Sequence, residues 1–388
     1  MDTLYVKILR SADSLRLVTS DDTIQIESAS LDRFNHGRCD FAAWLFMPVA
    51  MRRGMNIHVE GSGSQATIAN ARRMSEIWEA WMPEKLSAIN VLFDEVRTPQ
   101  PSAGEAGNGD LCFYSGGIDS TYSILKRHQE GKQQTLLTVF GMDYELDRED
   151  EFADMLEKTR PFADLAGNER LVVKTDAYHA YQKYRANVIN NGHISHIFVL
   201  AGIGHLFSER FDNLIVAADA RLDQQFVVHP NGSNDATNHL FDDGECRLST
   251  DSSDVSRSEK LPLLATSDTA LNSLTFCVNH SIKPKNCGLC GKCIRTKLLF
   301  LIATGSVPDI FIERNIPGNW LESFNHKRGD QLFLSEIILR AQHSGRIGQL
   351  PGGQAIYESL KGLRKTPLRK SSSRLSRQYR KLKKLFRI

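Results

Sequence analysis

The sequence of 388 residues has little net charge: 48 Lys and Arg stand against 46 Asp and Glu, a formal charge of +2. That balance argues against nucleic-acid binding by the whole surface, although single segments can still be one-sided. Long apolar runs are missing as well. The longest, from Phe41 to Met51, falls short of the roughly 20 residues a bilayer span requires, so no transmembrane segment is expected. No basic-then-apolar leader stands at Met1, and a soluble, cytoplasmic protein is the expectation. Cysteine is sparse, at seven residues, an odd number. Four of these crowd between Cys277 and Cys293, which suits a metal site in a reducing compartment better than a disulfide framework. The length allows about two domains, and 41% hydrophobic content is ample for a core.

One stretch organises the chain: Leu111-Cys112-Phe113-Tyr114 followed by Ser115-Gly116-Gly117-Ile118-Asp119-Ser120. An apolar run enters a Ser-Gly-Gly turn, and Tyr122, Ile124, Leu125 and His128 continue with helical periodicity, which predicts strand, tight loop and helix start. Paired glycines let the backbone approach a ligand closely, and the first-turn amides of the helix point at it, so the stretch reads as a phosphate site. Ser115, Ser120 and Thr121 add hydroxyls. The loop has no Gly-Lys-Ser/Thr ending, which excludes a Walker loop. It resembles instead the PP-loop ATP pyrophosphatases, with all five fixed positions present as Ser115, Gly116, Gly117, Asp119 and Ser120. The resemblance implies ATP cleaved between the α and β phosphates, with the AMP half activating a substrate and Mg²⁺ near Asp119.

Residues 1–96 read as a small α+β accessory domain and 97–109 as a linker rich in Pro, Gly, Ser and Ala. Strands are expected at 4–9, 15–18, 24–26, 57–59 and 89–93, and helices at 41–51 and 66–81. Trp44, Trp78 and Trp81 suit either a pocket or, more ordinarily, core. From Leu111 to about residue 305, strands at 111–114, 135–140, 171–174 and 213–218 alternate with helical stretches at 148–165 and 188–210. This predicts an α/β fold, a doubly wound parallel sheet, with a helical extension at 306–360; the resemblance implies that the sheet is of the adenine-nucleotide α-hydrolase kind. Ligands of such sheets sit outside the carboxyl ends of the strands, so Ser115, Asp143, Asp176 and Asp219 should meet in one cleft. Gly202 fits either close approach of the adenosine, as the resemblance implies, or helix-on-sheet packing. The polar run from Arg221 through Asp235 suits a substrate loop, with surface disorder as the alternative. Asp143, Asp219, Arg221 and Ser233 are thus the candidate substrate residues. Arg257-Ser258-Glu259-Lys260 replaces the family's Lys-x-Glu; its cations, Arg257 or Lys260, would neutralise the leaving pyrophosphate, and a solvated charged turn is the alternative.

Cys277, Cys287, Cys290 and Cys293 satisfy tetrahedral zinc, with an iron–sulfur cluster as competitor. A PP-loop followed by Cys, then Cys-Gly-x-Cys-x-x-Cys, resembles the 7-cyano-7-deazaguanine synthases. That resemblance implies a structural Zn²⁺ on the four cysteines and ATP-driven conversion of a carboxylate to an amide and then a nitrile, by adenylation and nitrogen attack. The family's aromatic-Gly-Gln-x-His segment is replaced here by Phe140-Gly141-Met142-Asp143-Tyr144, which points to a diverged, deazaguanine-like acceptor or a partner protein. Two alternatives stand beside this reading: tRNA base thiolation, and a nucleotide-binding defence or scaffold protein without turnover. A homo-oligomer or complex is the expected assembly.

After Glu358 no acidic residue remains, while Lys and Arg occur 12 times. With Leu375, Tyr379, Leu382 and Phe386 on one helical face, residues 361–388 form an expected basic amphipathic tail. Such a tail suits nucleic acid, an anionic membrane surface or an acidic partner, with a solvated tail as the alternative.

Overall fold

A computed structural model describes residues 2–31, 37–98, 109–182, 194–324 and 328–358. The basic tail at 361–388, most of the expected linker and the first part of the helix expected at 188–210 lie outside them. The core is an α/β arrangement on one ten-stranded sheet. In chain order its first five strands are β1 (Thr3–Arg10), β2 (Ser14–Val18), β3 (Thr23–Glu27), β4 (Asn56–Ser64) and β5 (Val91–Arg97). The other five are β6 (Asp110–Phe113), β7 (Gln134–Phe140), β8 (Arg170–Thr175), β9 (Asn213–Ala217) and β10 (Arg247–Asp251). Their spatial order is β10-β9-β6-β7-β8-β3-β2-β1-β4-β5.

From β10 to β8 every pairing is parallel, and β6 sits where the order reverses, an arrangement compatible with a doubly wound sheet. The strands of the expected accessory domain continue the same sheet. β3 pairs antiparallel with β8, Ile26 opposite Thr175, and the Asp176 carboxylate accepts from the Gln25 amide at 2.6 Å. β10 has no counterpart among the expected strands. Its sequence Arg-Leu-Ser-Thr-Asp buries Leu248 alone, too little apolar patterning to signal an edge strand.

Strand alternation sorts the core into two faces. Leu111, Phe113, Leu137 and Leu214 join one cluster, and Cys112, Leu136 and Ile215 join the other. On the first face lie helices α1 (Asp40–Arg53), α2 (Gln65–Trp81) and, further along the chain, His196–His205. α1 is buried from Asp40 to Met51, as a helix that is apolar all round must be. Trp44 and Trp78 are wholly buried in this core. The second face carries α3 (Ile118–Gln129), α4 (Glu149–Ala166) and the helices at Arg257–Leu264, Asp268–Ser273, Gly291–Thr304 and Arg328–His343.

Candidate functional site

The strand-to-helix turn forms as its sequence requires. β6 ends at Phe113, Gly117 caps α3, and Gly116 takes φ +74°. A Cβ on Gly116 would lie 2.5 Å from Thr275 Cγ2 and 3.0 Å from Thr159 Cγ2, so sterics and backbone conformation both demand glycine. The Gly116 carbonyl accepts from the Thr275 amide at 2.8 Å. Ser115 Oγ accepts from the Gly117 amide and lies 3.3 Å from Ser120 Oγ. Thr121 is buried beneath the loop.

This turn opens on a two-part cleft. The larger part, about 960 Å³, is lined by Ser115, Asp119, Ser120, Asp143, Asp176, Asp219 and Ser233, with Tyr178, His179 and Leu200. The smaller, about 410 Å³, shares Ser115, Asp119, Asp143 and Lys292 with it and adds Gly117, Arg257, His280, Lys283 and Arg295. The two parts differ in charge: carboxylates gather at one end and cations at the other.

Between them stands a buried ion triad. Helix α5 (Ala177–Tyr181) follows β8, α6 is His196–His205, and two short helices, α7 (Leu222–Val228) and α8 (Asp235–Asn238), occupy the run expected as a loop. Then α9 (Arg257–Leu264) starts from a capping box in which Ser256 caps and Glu259 returns the bond to the Ser256 amide at 2.8 Å. This helix delivers Arg257 and Lys260 to Asp119. Arg257 binds both carboxylate oxygens, and Lys260 Nζ donates to Oδ1 at 2.9 Å and to the Ala218 carbonyl. Burial would raise the Asp119 carboxyl, but the Arg257 and Lys260 charges outweigh it and hold it below the usual range. Burial raises Asp219, with the Asp119 charge adding to it against the pull of Arg257. A divalent ion at Asp119 would have to displace two bonded cations, so this carboxylate does not fit Mg²⁺ as arranged.

Gly202 does not approach the cleft. A Cβ there would lie 2.5 Å from Leu45 Cγ and 3.1 Å from the Phe41 carbonyl, so the glycine lets α6 pack against α1. Gly202→Ala is expected to lower stability by about 1–2 kcal/mol, the overpacking cost less the gain in helix propensity; thermal melts check this. Arg221 also turns away, pairing with Asp223 at 2.6 Å and with Glu259 at 3.6 Å.

The cysteine cluster meets the smaller part of the cleft at Cys277. α10 (Asp268–Ser273) leads into Cys277, and α11 (Gly291–Thr304) starts at Cys290. All four sulfurs lie within 4.8 Å of one another, with Cys277 to Cys290 at 3.9 Å and Cys287 to Cys293 at 3.8 Å. Tetrahedral zinc with Zn–S bonds of about 2.3 Å sets its sulfurs about 3.8 Å apart, so the residues fit the ion. Amides of Asn279, Leu289 and Cys290 donate to the sulfurs of Cys277 and Cys287 at 3.3–3.4 Å. Gly288, at φ +81°, is required because a Cβ would lie 2.0 Å from the Glu313 carbonyl. The same fold of chain carries Lys283, Lys292 and Arg295 to the cleft, cations whose role sequence reasoning missed. The Cys-Gly-Lys-Cys-Ile-Arg spacing, with basic residues between and just after ligands, was the available signal.

Comparison of the chain with models of known protein families, with curated proteins and with solved structures found no match.

Proposed function

We propose that the chain is an ATP-dependent enzyme of the PP-loop, adenine-nucleotide α-hydrolase kind. It adenylates an acceptor carboxylate or carbonyl and passes it to a nitrogen nucleophile, as the 7-cyano-7-deazaguanine synthases do. The observation that carries this reading is the Ser115–Ser120 turn at the point of strand reversal, opening on a cleft with a cationic end. There, loop amides and the α3 N-terminus receive the phosphates, and Arg257, Lys283, Lys292 and Arg295 offset the charge of the departing pyrophosphate. The acceptor lies at the carboxylate end. Its oxygen attacks the α phosphorus as the bond to the bridging β-phosphate oxygen breaks; the nitrogen nucleophile then attacks the activated carbon and AMP leaves. Asp219, with its raised carboxyl pKa, takes the proton from nitrogen. The triad ties Asp119 to Arg257 and Lys260, so Asp119 positions the cations, and the four cysteines hold a closed structural zinc that supplies no chemistry to the reaction.

Sulfur transfer to tRNA is disfavoured. Cys39, Cys112 and Cys246 are buried and line neither part of the cleft, and burial pushes the Cys112 thiol up to about 12, far from a thiolate nucleophile. Incubation of ATP and Mg²⁺ with 7-carboxy-7-deazaguanine, with tRNA or with no acceptor, followed by phosphorus NMR, tests the proposal. AMP and pyrophosphate with the deazaguanine are expected. ADP and phosphate would refute α,β cleavage, and no turnover with any acceptor would favour a binding or scaffold protein.

A further inference from the structure

Residues 306–360 lie beyond the stretch that carries the PP-loop and zinc motifs, yet one helix of this extension packs against two arginines that line the cleft. α12 (Arg328–His343) packs on α9 and α11. The buried Glu336 accepts from the Ser258 amide at 2.8 Å and from Gln224 Nε2 at 3.3 Å, and Arg340 binds Glu259. These bonds fix the turn of α9 that presents Arg257. One helical turn earlier, Phe333 meets two guanidiniums, with the Arg257 carbon 4.7 Å and the Arg295 carbon 4.1 Å from its ring centroid. Both arginine side chains are only 13–14% exposed, and both line the smaller part of the cleft.

Their charges are unequally met. Arg257 has the Asp119 carboxylate, whereas among the described residues Arg295 has Asp330 alone, at 3.6 Å, and its buried Nε has no hydrogen-bond partner among them. Lys260 shares the Asp119 carboxylate with Arg257, so three cations meet two paired carboxylates; such a set describes a site waiting for an anion, and an aromatic face tolerates its two arginines without neutralising them.

We propose that α12 completes the anion site, with Phe333 as a positioning residue that holds Arg257 and Arg295 side by side as a clamp for a pyrophosphate group. The clamp rests on the nucleotide reading above and adds a residue that neither sequence motif contains.

Calorimetric titration of the full chain with inorganic pyrophosphate and, separately, with adenosine tests it. For Phe333→Leu, pyrophosphate affinity should fall about tenfold, as loss of one to two cation–π contacts implies, while adenosine affinity stays within twofold. Phe333→Tyr, which keeps the ring, should restore pyrophosphate affinity to within about twofold of the unaltered chain. Equal loss of both ligands in Phe333→Leu would mark a merely structural role, and unchanged pyrophosphate binding would overturn the clamp alone. Failure of the unaltered chain to bind pyrophosphate would overturn the nucleotide reading together with the clamp.

Discussion

Asp119→Ala is expected to lose stability as well as activity. Lys260 is fully buried and the Arg257 side chain 13% exposed, and Asp119 is the carboxylate that both bind. Removing one partner of a buried ion set costs about 3–5 kcal/mol, because the remaining charges are left without compensation. A domain's whole stability is about 5–15 kcal/mol, so the loss would show in any denaturant titration. Asp119→Asn, which keeps the shape and an acceptor oxygen, should lose less stability while still impairing turnover. The carboxyl is held below its usual range, so its stabilising effect is fully present above the unfolded value of about 3.9. It is lost as pH falls through the folded value, and the acid limb of the stability curve should therefore be flatter in Asp119→Ala. Equal denaturation midpoints for the variant and the unaltered chain would contradict the triad's role.

Removal of metal from the cysteine cluster should have the other large effect. The purified chain is expected to carry one zinc ion and no colour, and Cys287→Ser or chelation should unfold the 277–293 segment cooperatively. Structural zinc supplies about 10–16 kcal/mol of apparent binding free energy in small zinc domains, far more than any single contact here. Elemental analysis and melting curves with and without chelator check this; iron with visible absorbance would establish a cluster in place of zinc. Because the same loop carries Lys283, Lys292 and Arg295 to the cleft, metal loss should abolish pyrophosphate affinity as well, although the Ser-Gly-Gly turn lies on another element.

The turn and the cysteines were legible in the sequence because both are local. Ser115 to Ser120 needs only its own glycines and the strand and helix at its ends, and four cysteines within one short segment meet without help from the rest of the fold. What depends on distant pairing was not legible. β3 lies antiparallel beside β8, so residues that read as a separate accessory unit extend the main sheet and, through the Gln25 amide, hold Asp176. Gly202 carries equal weight as a nucleotide contact or a packing residue until α1 is known to lie against it. The charged run Arg257 to Lys260 was legible as a source of cations, but its pairing with Asp119 was not, because that depends on α9 aiming both side chains inward, where burial converts ordinary charges into a triad. Phe333 gave no signal, since one aromatic on a helix is most often core.

The most direct measurement is equilibrium binding of α,β-methylene-ATP, which cannot be cut between the α and β phosphates, to the full chain and to Lys292→Glu. Lys292 is exposed and borders both parts of the cleft, so the reversal of charge acts on the ligand without disturbing the core. The account predicts one saturable site per chain, displaced by pyrophosphate and weakened about tenfold or more in Lys292→Glu. Absence of saturable binding, or equal affinity in the two proteins, would contradict it.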